Sequence, residues 1–346
     1  MKDLGKAAPL QQRHRRQQRQ RLVIASGLLL SGLALAIVLS LTQGSVALTW
    51  QEFWLALWRR GDDLHQTIVW QLRLPRLLAA ITVGAALGLS GAMLQGMLRN
   101  GLASPFLLGI SSGAGLAAVS IISLGLSRVW LPIGSWLGGM LTLMAIYGLA
   151  RTGNQIAIQR LILGGVAFTS LFGAMQSLLL LLSQDGRVQA ALTWLLGSLN
   201  GRGWEEVSIV GPWIAVAVVV GCLLARQVNV LNLGEDLAMG LGVSLLRSRL
   251  AIGAVSAFLA AGAVSIAGLV GFVGLIVPHG VRLLVGPDYR LVLPFSALGG
   301  ALLLTVADLI ARLGPTELPV GIVTAFIGAP VFIWLLYRRN AVLTRV

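Results

Sequence analysis

The sequence predicts an all-α polytopic membrane protein, and three observations support this prediction. Hydrophobic residues make up 56% of the 346 residues, charged residues only 11%, and the mean hydropathy is +0.85. Soluble domains carry about 25% charged residues, so this composition excludes an ordinary soluble fold. The chain is long enough for about ten helices of about 20 residues, the length that a bilayer requires. The 43 glycines fit this class, because small residues allow membrane helices to approach closely.

The chain begins with a basic segment, residues 1–21, and an apolar run over residues 22–41 follows it. Basic residues beside a hydrophobic helix typically mark its cytoplasmic side, and they can also contact anionic lipid. Ser45–Ala47 resembles a signal-peptide cleavage site, but the apolar run exceeds the roughly 7–15 residues of a signal-peptide core. We therefore expect a retained first helix. Nucleic-acid binding is not expected, because no folded basic module accompanies the basic segment.

Further apolar runs between charged residues predict the other helices. The uncharged stretch 251–281 is too long for one span, and Gly271, Gly274 and Pro278 are expected to break it. Two helices here place 18 of the 26 basic residues on the cytoplasmic side, whereas one merged helix would place only 14 there. We therefore predict ten helices with both termini cytoplasmic: a single transmembrane domain over residues 22–337 and a tail over residues 338–346. The predicted later spans are 77–98, 106–126, 131–150, 161–182, 207–225, one from 251 to the break, 272–285, 291–310 and 318–337.

Three segments outside the spans have distinct compositions. Thr49–Arg60 and Ala190–Trp204 are rich in tryptophan, which is typical of the membrane–water interface. The stretch 227–249 is a long, glycine-containing and mildly amphipathic loop on the predicted cytoplasmic side. A helical loop of this kind can dock a soluble partner.

The residues that catalysis would need are scarce. Lysine occurs only at Lys2 and Lys6, so the folded part has no Walker A lysine and cannot be a P-loop ATPase. The three histidines form no metal-ligand motif, and the single cysteine, Cys222, excludes a disulfide framework. We predict that the chain is not itself an enzyme and binds no metal or cofactor.

Two alternative functions remain open from the residues alone. Ser111 or Ser112 with His279 could form a buried Ser–His dyad, as in an intramembrane protease, although serines also pack small-residue helix interfaces. Asp308 is the only acidic residue inside a predicted helix and could serve an ion-coupled transporter. An ordinary i,i+4 pair with Arg312 explains the same carboxylate without transport.

Three long segments carry a resemblance to a known family. Residues 73–115 read RLPRLLAAITVGAALGLSGAMLQGMLRNGLASPFLLGISSGAG, residues 271–313 read GFVGLIVPHGVRLLVGPDYRLVLPFSALGGALLLTVADLIARL, and residues 317–336 read ELPVGIVTAFIGAPVFIWLL. Together with LGEDLAMGLGV inside the stretch 227–249, they resemble the FecCD-type permease subunits of ABC importers for iron–siderophores, haem and cobalamin. The resemblance extends from about residue 70 to 337.

The resemblance implies the type II ABC importer permease fold in a bacterial inner membrane. It implies a second permease subunit, which is the same or a paralogous chain, with the translocation path between the two. Two ATP-binding subunits would use ATP and Mg on the cytoplasmic side, and a periplasmic binding protein would deliver the substrate. A ferric siderophore is the expected substrate, with haem or cobalamin as alternatives.

The resemblance also assigns roles to individual residues on the periplasmic side. Arg73, Arg76 and Arg312 would dock glutamates of the binding protein at an exposed outer rim. Arg312 could instead pair with Asp308 or Glu317, and lipid headgroups could hold Arg76. Exposed ion pairs of this kind are worth about 0.2–1 kcal/mol each.

On the cytoplasmic side the resemblance implies an inner gate and a docking segment. Asn100 and Leu102 would form the gate, in a turn where Gly101 replaces the proline that is usual in the family. The docking segment would begin a short helix with a low-profile face for the ATPase. The residues assigned to this ATPase coupling are Gly234, Glu235, Asp236, Ala238, Gly240 and Gly242.

Overall fold

The computed structural model describes residues 4–44, 46–127, 129–153, 155–314 and 316–343. The first three residues of the predicted basic segment, the last three of the predicted tail, and Ser45 of the cleavage-like site lie outside the described residues.

The described residues form helices joined by short turns, with one β-hairpin whose two strands are each two residues long. The helices are α1 (Leu4–Thr42), α2 (Trp50–Leu57), α3 (Asp63–Thr67), a π-helical turn (Ile68–Arg73), α4 (Leu74–Leu98), α5 (Ile110–Ser123), α6 (Trp130–Ala150), α7 (Ile158–Leu181), α8 (Asp185–Leu195), α9 (Trp204–Leu223), α10 (Ala225–Leu233), α11 (Glu235–Gly240), α12 (Leu245–Ala267), α13 (Val273–Val285), α14 (Tyr289–Arg312) and α15 (Val320–Leu343). The hairpin strands are β1 (Arg151–Thr152) and β2 (Gln155–Ile156).

The predicted all-α membrane fold is confirmed. Within the described residues, seven helices are long and apolar enough to cross a membrane, and three shorter apolar helices lie at 110–123, 273–285 and 320–334. These correspond to the ten predicted spans. The first helix extends further toward the N-terminus than predicted, because the helical backbone continues from the apolar run through the basic segment to Leu4.

Several predicted helix boundaries are wrong. The second span belongs to one continuous helical segment from Asp63 to Leu98. The third span begins at Ile110, because Gly109 has a left-handed backbone (φ 68°) and ends a series of turns. The break in the uncharged stretch lies between Gly268 (φ 71°) and Phe272 (φ 67°). The predicted breaking residues Gly274 and Pro278 lie inside α13.

Helix α4 is the centre of the bundle and packs against α12, α13 and α14. A Cβ atom added to Gly84 would lie 2.2 Å from the carbonyl oxygen of Gly300 in α14, and one added to Gly91 would lie 2.0 Å from that of Gly274 in α13. These helices therefore touch through their backbones. This is the close approach that a high glycine content permits.

The bundle has two ends, to which we give names. The arginine end contains Arg76, Asp308 and Glu317, and the loop end contains Asn100 and Glu235. Helices α4, α12 and α14 run between these ends. The functional residues predicted from the sequence lie at one end or the other.

Candidate functional site

At the arginine end, one buried carboxylate lies between two arginines. Arg76 Nε lies 3.0 Å from Asp308 Oδ1, and Arg312 Nε lies 3.2 Å from Asp308 Oδ2. Arg76 also pairs through Nη1 with Glu317 Oε2 at 3.0 Å. Arg312 Nη2 donates to the hydroxyl of Ser40 in α1 at 2.6 Å. These contacts join α1, α4, α14 and the turn before α15.

Arg73 contacts backbone rather than carboxylates. Its guanidinium donates to the carbonyl of Leu41 at 2.7 Å, to that of Thr42 at 2.9 Å, and to that of Val46. The last carbonyls of a helix have no helical N–H partner, so a cation at this position both caps α1 and complements its dipole. Arg73 therefore fastens the end of α1 to the π-helical turn.

The exposed rim predicted for these three arginines is wrong. Arg73, Arg76 and Arg312 are only 6%, 9% and 8% exposed, because acceptors within their own chain bind each guanidinium. The i,i+4 pair between Asp308 and Arg312 is confirmed. Glu317 pairs with Arg76 and not with Arg312. Whether a binding protein docks here stays a prediction.

The buried pairs also weaken the ion-coupled alternative. Asp308 is fully buried, and both of its carboxylate oxygens are engaged by guanidinium groups. A proton carrier has to exchange its proton with a water-filled path. The two guanidinium groups hold the Asp308 carboxylate inside the bundle, so its role in this arrangement is structural.

A cleft of about 710 Å³ opens at the arginine end between α5, α8 and α9. Arg202 and Glu206 line it as an ion pair with an Nη1–Oε1 distance of 3.4 Å, and Glu317 lies at its edge. Trp194 in the wall is only 5% exposed, so its side chain packs inside the chain, and the position of this segment at the membrane interface stays a prediction. The sequence pattern did not single out the cleft, since its walls come from distant segments.

At the loop end, the predicted gate residues form a tight turn after α4. Arg99 has a left-handed backbone (φ 52°) and ends the helix. The side-chain oxygen of Asn100 accepts from the backbone N–H of Leu102 at 2.9 Å, and Leu102 is 41% exposed. A Cβ atom added to Gly101 would meet nothing within 4 Å. The turn therefore has space for a Cβ atom at this position, and the gate role stays a prediction.

The predicted coupling segment forms the short helix α11, but one of its faces is oriented differently from the prediction. Ala238 is fully buried against the bundle, so it cannot contribute to an outward low-profile face. The side chains that do face outward are apolar: Leu237 is 60% exposed, Met239 51% and Leu241 63%. Within residues 237–241, Ala238 is the one buried position. Gly240 and Gly242 are exposed, as predicted, and Asp236 is exposed as well. The ATPase contact itself stays a prediction.

A second pair of side chains braces the loop end behind the coupling segment. Asn229 of α10 donates to the carboxylate of Asp288 at 2.7 Å and accepts from the backbone N–H of Tyr289 at 2.9 Å. Asp288 also caps α14 by accepting from the backbone N–H of Arg290 at 2.9 Å. The hydrogen bond from the backbone N–H of Arg290 has the largest effect and lowers the pKa of Asp288, and the hydrogen bond from Asn229 lowers it further.

The Ser–His dyad is not formed. Ser112 donates to the hydroxyl of Thr169 in α7 at 3.3 Å, and the buried hydroxyl of Ser111 has no hydrogen-bond partner among the described residues. Within the part of the chain that the structure describes, no hydrogen bond joins His279 to either serine. The same residues contain no group of three or more His, Cys, Asp or Glu side chains placed to hold a metal.

Comparisons with known proteins agree with this arrangement. The sequence profile of the FecCD transport family matches residues 32–338. The chain is 44% identical to the cobalamin import system permease protein of Halobacterium salinarum, over 80% of this chain and 75% of that protein. It is 41% identical to the Fe(3+) dicitrate transport system permease protein of Escherichia coli, over 92% of this chain and 99% of that protein.

A solved structure has the same fold over nearly its whole length. It is described as an inward-facing conformation of a metal-chelate type ABC transporter, and it matches with a TM-score of 0.83 and 34% identity. The match covers 91% of this chain and 99% of that chain. The family profile covers most of the chain, and the fold agrees with a type II ABC importer permease. The chain belongs to the FecCD transport family.

Proposed function

We propose that this chain is the permease subunit of an ATP-driven ABC importer that passes a ferric siderophore into the cytoplasm. The observation that carries the proposal is the near-complete structural match to a metal-chelate type transporter. The identity to an iron-dicitrate permease supports an iron chelate. The identity to a cobalamin permease supports cobalamin as the second candidate. A 38% identity to a hemin transport system permease protein supports haem as the third.

In this proposal the chain moves substrate but does not hydrolyse ATP. Two separate ATP-binding subunits would use ATP and Mg, and they would dock at the loop end. The positive-inside tendency supports a cytoplasmic loop end with both termini inside, in a bacterial inner membrane. A second permease subunit, identical or paralogous, would complete the path. Transport would proceed through a switch of packed helices rather than through bond chemistry.

The arginine end would then face the periplasmic binding protein. Because Arg73, Arg76 and Arg312 already bind acceptors of their own chain, docking through them requires an exchange of partners. Glu317 is the accessible partner, with its side chain 36% exposed. A carboxylate of the binding protein could replace Glu317 at Arg76 without exposing Asp308.

At the loop end, Asn100 and Leu102 would form the inner gate across the path from the second subunit. The exposure of Leu102 supports this role. Cysteine at Leu102, in a Cys222→Ser background, should crosslink between subunits in a nucleotide state with the gate closed. Absence of crosslinking in every nucleotide state would contradict the gate.

The substrate proposal is tested with the purified complex in proteoliposomes. Uptake should require the binding protein and ATP, and a ferric siderophore should be taken up faster than haem or cobalamin. A partner ATPase without its catalytic glutamate is the control for ATP dependence. Preferential uptake of cobalamin or haem would overturn the siderophore assignment, and uptake without the ATPase would overturn the importer class.

A further inference from the structure

A single buried guanidinium links the exposed coupling helix to the rest of the loop end. Arg249 lies in the first turns of α12 and is only 3% exposed. Its Nη2 donates to Glu235 Oε1 of α11 at 2.6 Å, and its Nη1 donates to the carbonyl of Ile156 in β2 at 2.9 Å. The backbone carbonyl of Arg249 accepts from the hydroxyl of Tyr147 in α6 at 3.0 Å. Four elements therefore meet at one residue.

The two guanidinium contacts differ in a way that suggests transmission rather than simple packing. Glu235 is 46% exposed at its side chain and begins the helix whose neighbouring side chains face outward. Ile156 is 2% exposed and lies inside the bundle. The Arg249 side chain therefore connects a surface element with a buried one. Charge-assisted hydrogen bonds are short and directional, so a shift of one partner changes the geometry at the other.

The buried partner belongs to the hairpin that joins α6 to α7. Arg151 pairs with Ile156 in this hairpin, and the N–H of Ala157 donates to the carbonyl of Ala150 at 3.1 Å. Helix α7 begins at the next residue, Ile158. Only 11% of the apolar stretch of α7 is buried within the chain, so most side chains of this helix face outward. A displacement of Ile156 would act directly on the start of α7.

A second contact of the same segment reaches the predicted gate turn. A Cβ atom added to Gly234 would lie 3.5 Å from Nη1 of Arg99, so the start of α11 lies against this guanidinium. Arg99 immediately precedes Asn100. The start of α11 therefore contacts two parts of the loop end. Arg99 links it to the predicted gate turn, and Arg249 links it to the hairpin.

We propose that Arg249 is a positioning residue that transmits movement of the coupling helix α11 to the β1–β2 hairpin and to the start of α7. This inference rests on the proposed function, because it assigns the movement of α11 to a docked ATPase. Glu235 is the surface-side contact of this connection, and the carbonyl of Ile156 is the buried one.

The test uses the full complex with ATPase and binding protein in proteoliposomes, where ATP hydrolysis and uptake are measured together. The variants are Glu235→Gln, Arg249→Gln, the double variant, and the conservative Arg249→Lys. Uptake per ATP hydrolysed should fall by roughly 2- to 30-fold in Glu235→Gln and Arg249→Gln, the range for residues of a coupled network. Uptake per ATP hydrolysed in the double variant should be no lower than in Arg249→Gln. Arg249→Lys should retain more of this uptake than Arg249→Gln.

The matched control is Arg247→Gln, which removes an exposed guanidinium two residues earlier on the same helix. It should leave uptake per ATP unchanged. Copurification of the ATPase separates loss of docking from loss of transmission, and the proposal expects copurification to persist. If ATPase copurification, ATP hydrolysis and uptake all fall together in both single variants, the proposal is overturned. Unchanged uptake per ATP hydrolysed in Glu235→Gln, which leaves Arg249 in place, would also overturn it.

A direct readout does not depend on transport. Spin labels at Gln159 and Leu223, after Cys222→Ser, report the distance between the start of α7 and the end of α9. Nucleotide should change this distance in the otherwise unmodified complex and not in Arg249→Gln. An equal change in both would overturn the transmission role. If no chelate is taken up but the nucleotide-dependent distance change still requires Arg249, the substrate proposal fails and this inference stands.

Discussion

Gln95 donates its side-chain amide to the main-chain carbonyl of Gly274 at 3.1 Å. In α13 this carbonyl would normally accept from the N–H four residues later, but that residue is Pro278, which has none. Gln95 is only 2% exposed, and its side-chain oxygen accepts from Arg282 Nη2 at 2.5 Å. One buried amide of α4 thus replaces the missing helical hydrogen bond and fixes α13 against the centre of the bundle.

We expect Gln95→Leu to lower the free energy of unfolding by about 1–3 kcal/mol, the cost of leaving a buried polar group unpaired. Pro278→Ala should restore an N–H to the carbonyl of Gly274, so the same substitution should cost less in that background. Thermal unfolding in detergent of the four proteins of this cycle measures the difference. An equal cost in both backgrounds would contradict the role of Gln95.

Asp308 should be far more important for stability than Glu317, although both pair with Arg76. Asp308→Leu leaves two guanidinium groups buried without their carboxylate, for which about 3–5 kcal/mol of destabilisation is typical. Glu317→Gln removes a partly exposed partner, for which about 0–1 kcal/mol is expected. Unfolding midpoints of the two variants test this order. Similar midpoints would show that the buried pairs do not hold this end of the bundle together.

The glycine contact between α4 and α13 should not tolerate a methyl group. Gly91→Ala would place its Cβ atom 2.0 Å from the carbonyl oxygen of Gly274, so the helices would have to separate. A cost of about 1–3 kcal/mol is typical of such overpacking. Gly148→Ala is the matched control, because its Cβ atom would meet nothing within 4 Å and alanine favours the helix. Both are measured by thermal unfolding.

The cap of α14 should give a pH-dependent contribution to stability. Since the pKa of Asp288 is lowered in the folded chain, its stabilisation is present above the unfolded-state pKa and is lost as the pH falls through the folded-state pKa. Asp288→Ala should therefore cost about 0.5–2 kcal/mol at neutral pH, as is typical of N-caps. The difference in the free energy of unfolding between wild type and Asp288→Ala should become smaller as the pH is lowered. If this difference does not change with pH, the stabilisation does not come from the ionised carboxylate of Asp288.

The class of fold and the number of apolar helices follow from local composition. A bilayer requires about 20 apolar residues for each helix, and the backbone must satisfy its hydrogen bonds within that helix. Each span is therefore visible in its own stretch of sequence. The division of the stretch 251–281 into two helices was predictable for the same reason. The exact break was not, because Gly268 and Phe272 adopt their left-handed backbones in the context of neighbouring helices.

The sequence by itself determined the family, the ten apolar helices, and the i,i+4 pair of Asp308 with Arg312, since these depend on residues close together in the chain. Only the tertiary structure decided which way the functional side chains face. Arg76 meets Asp308 and Glu317 across 232 and 241 residues, and this contact turns a predicted exposed rim into a buried ion cluster. Ala238 is buried because α11 packs on the bundle, and no local pattern specifies that packing partner. Burial and pairing depend on contacts between distant segments, so they become defined only when the helices assemble.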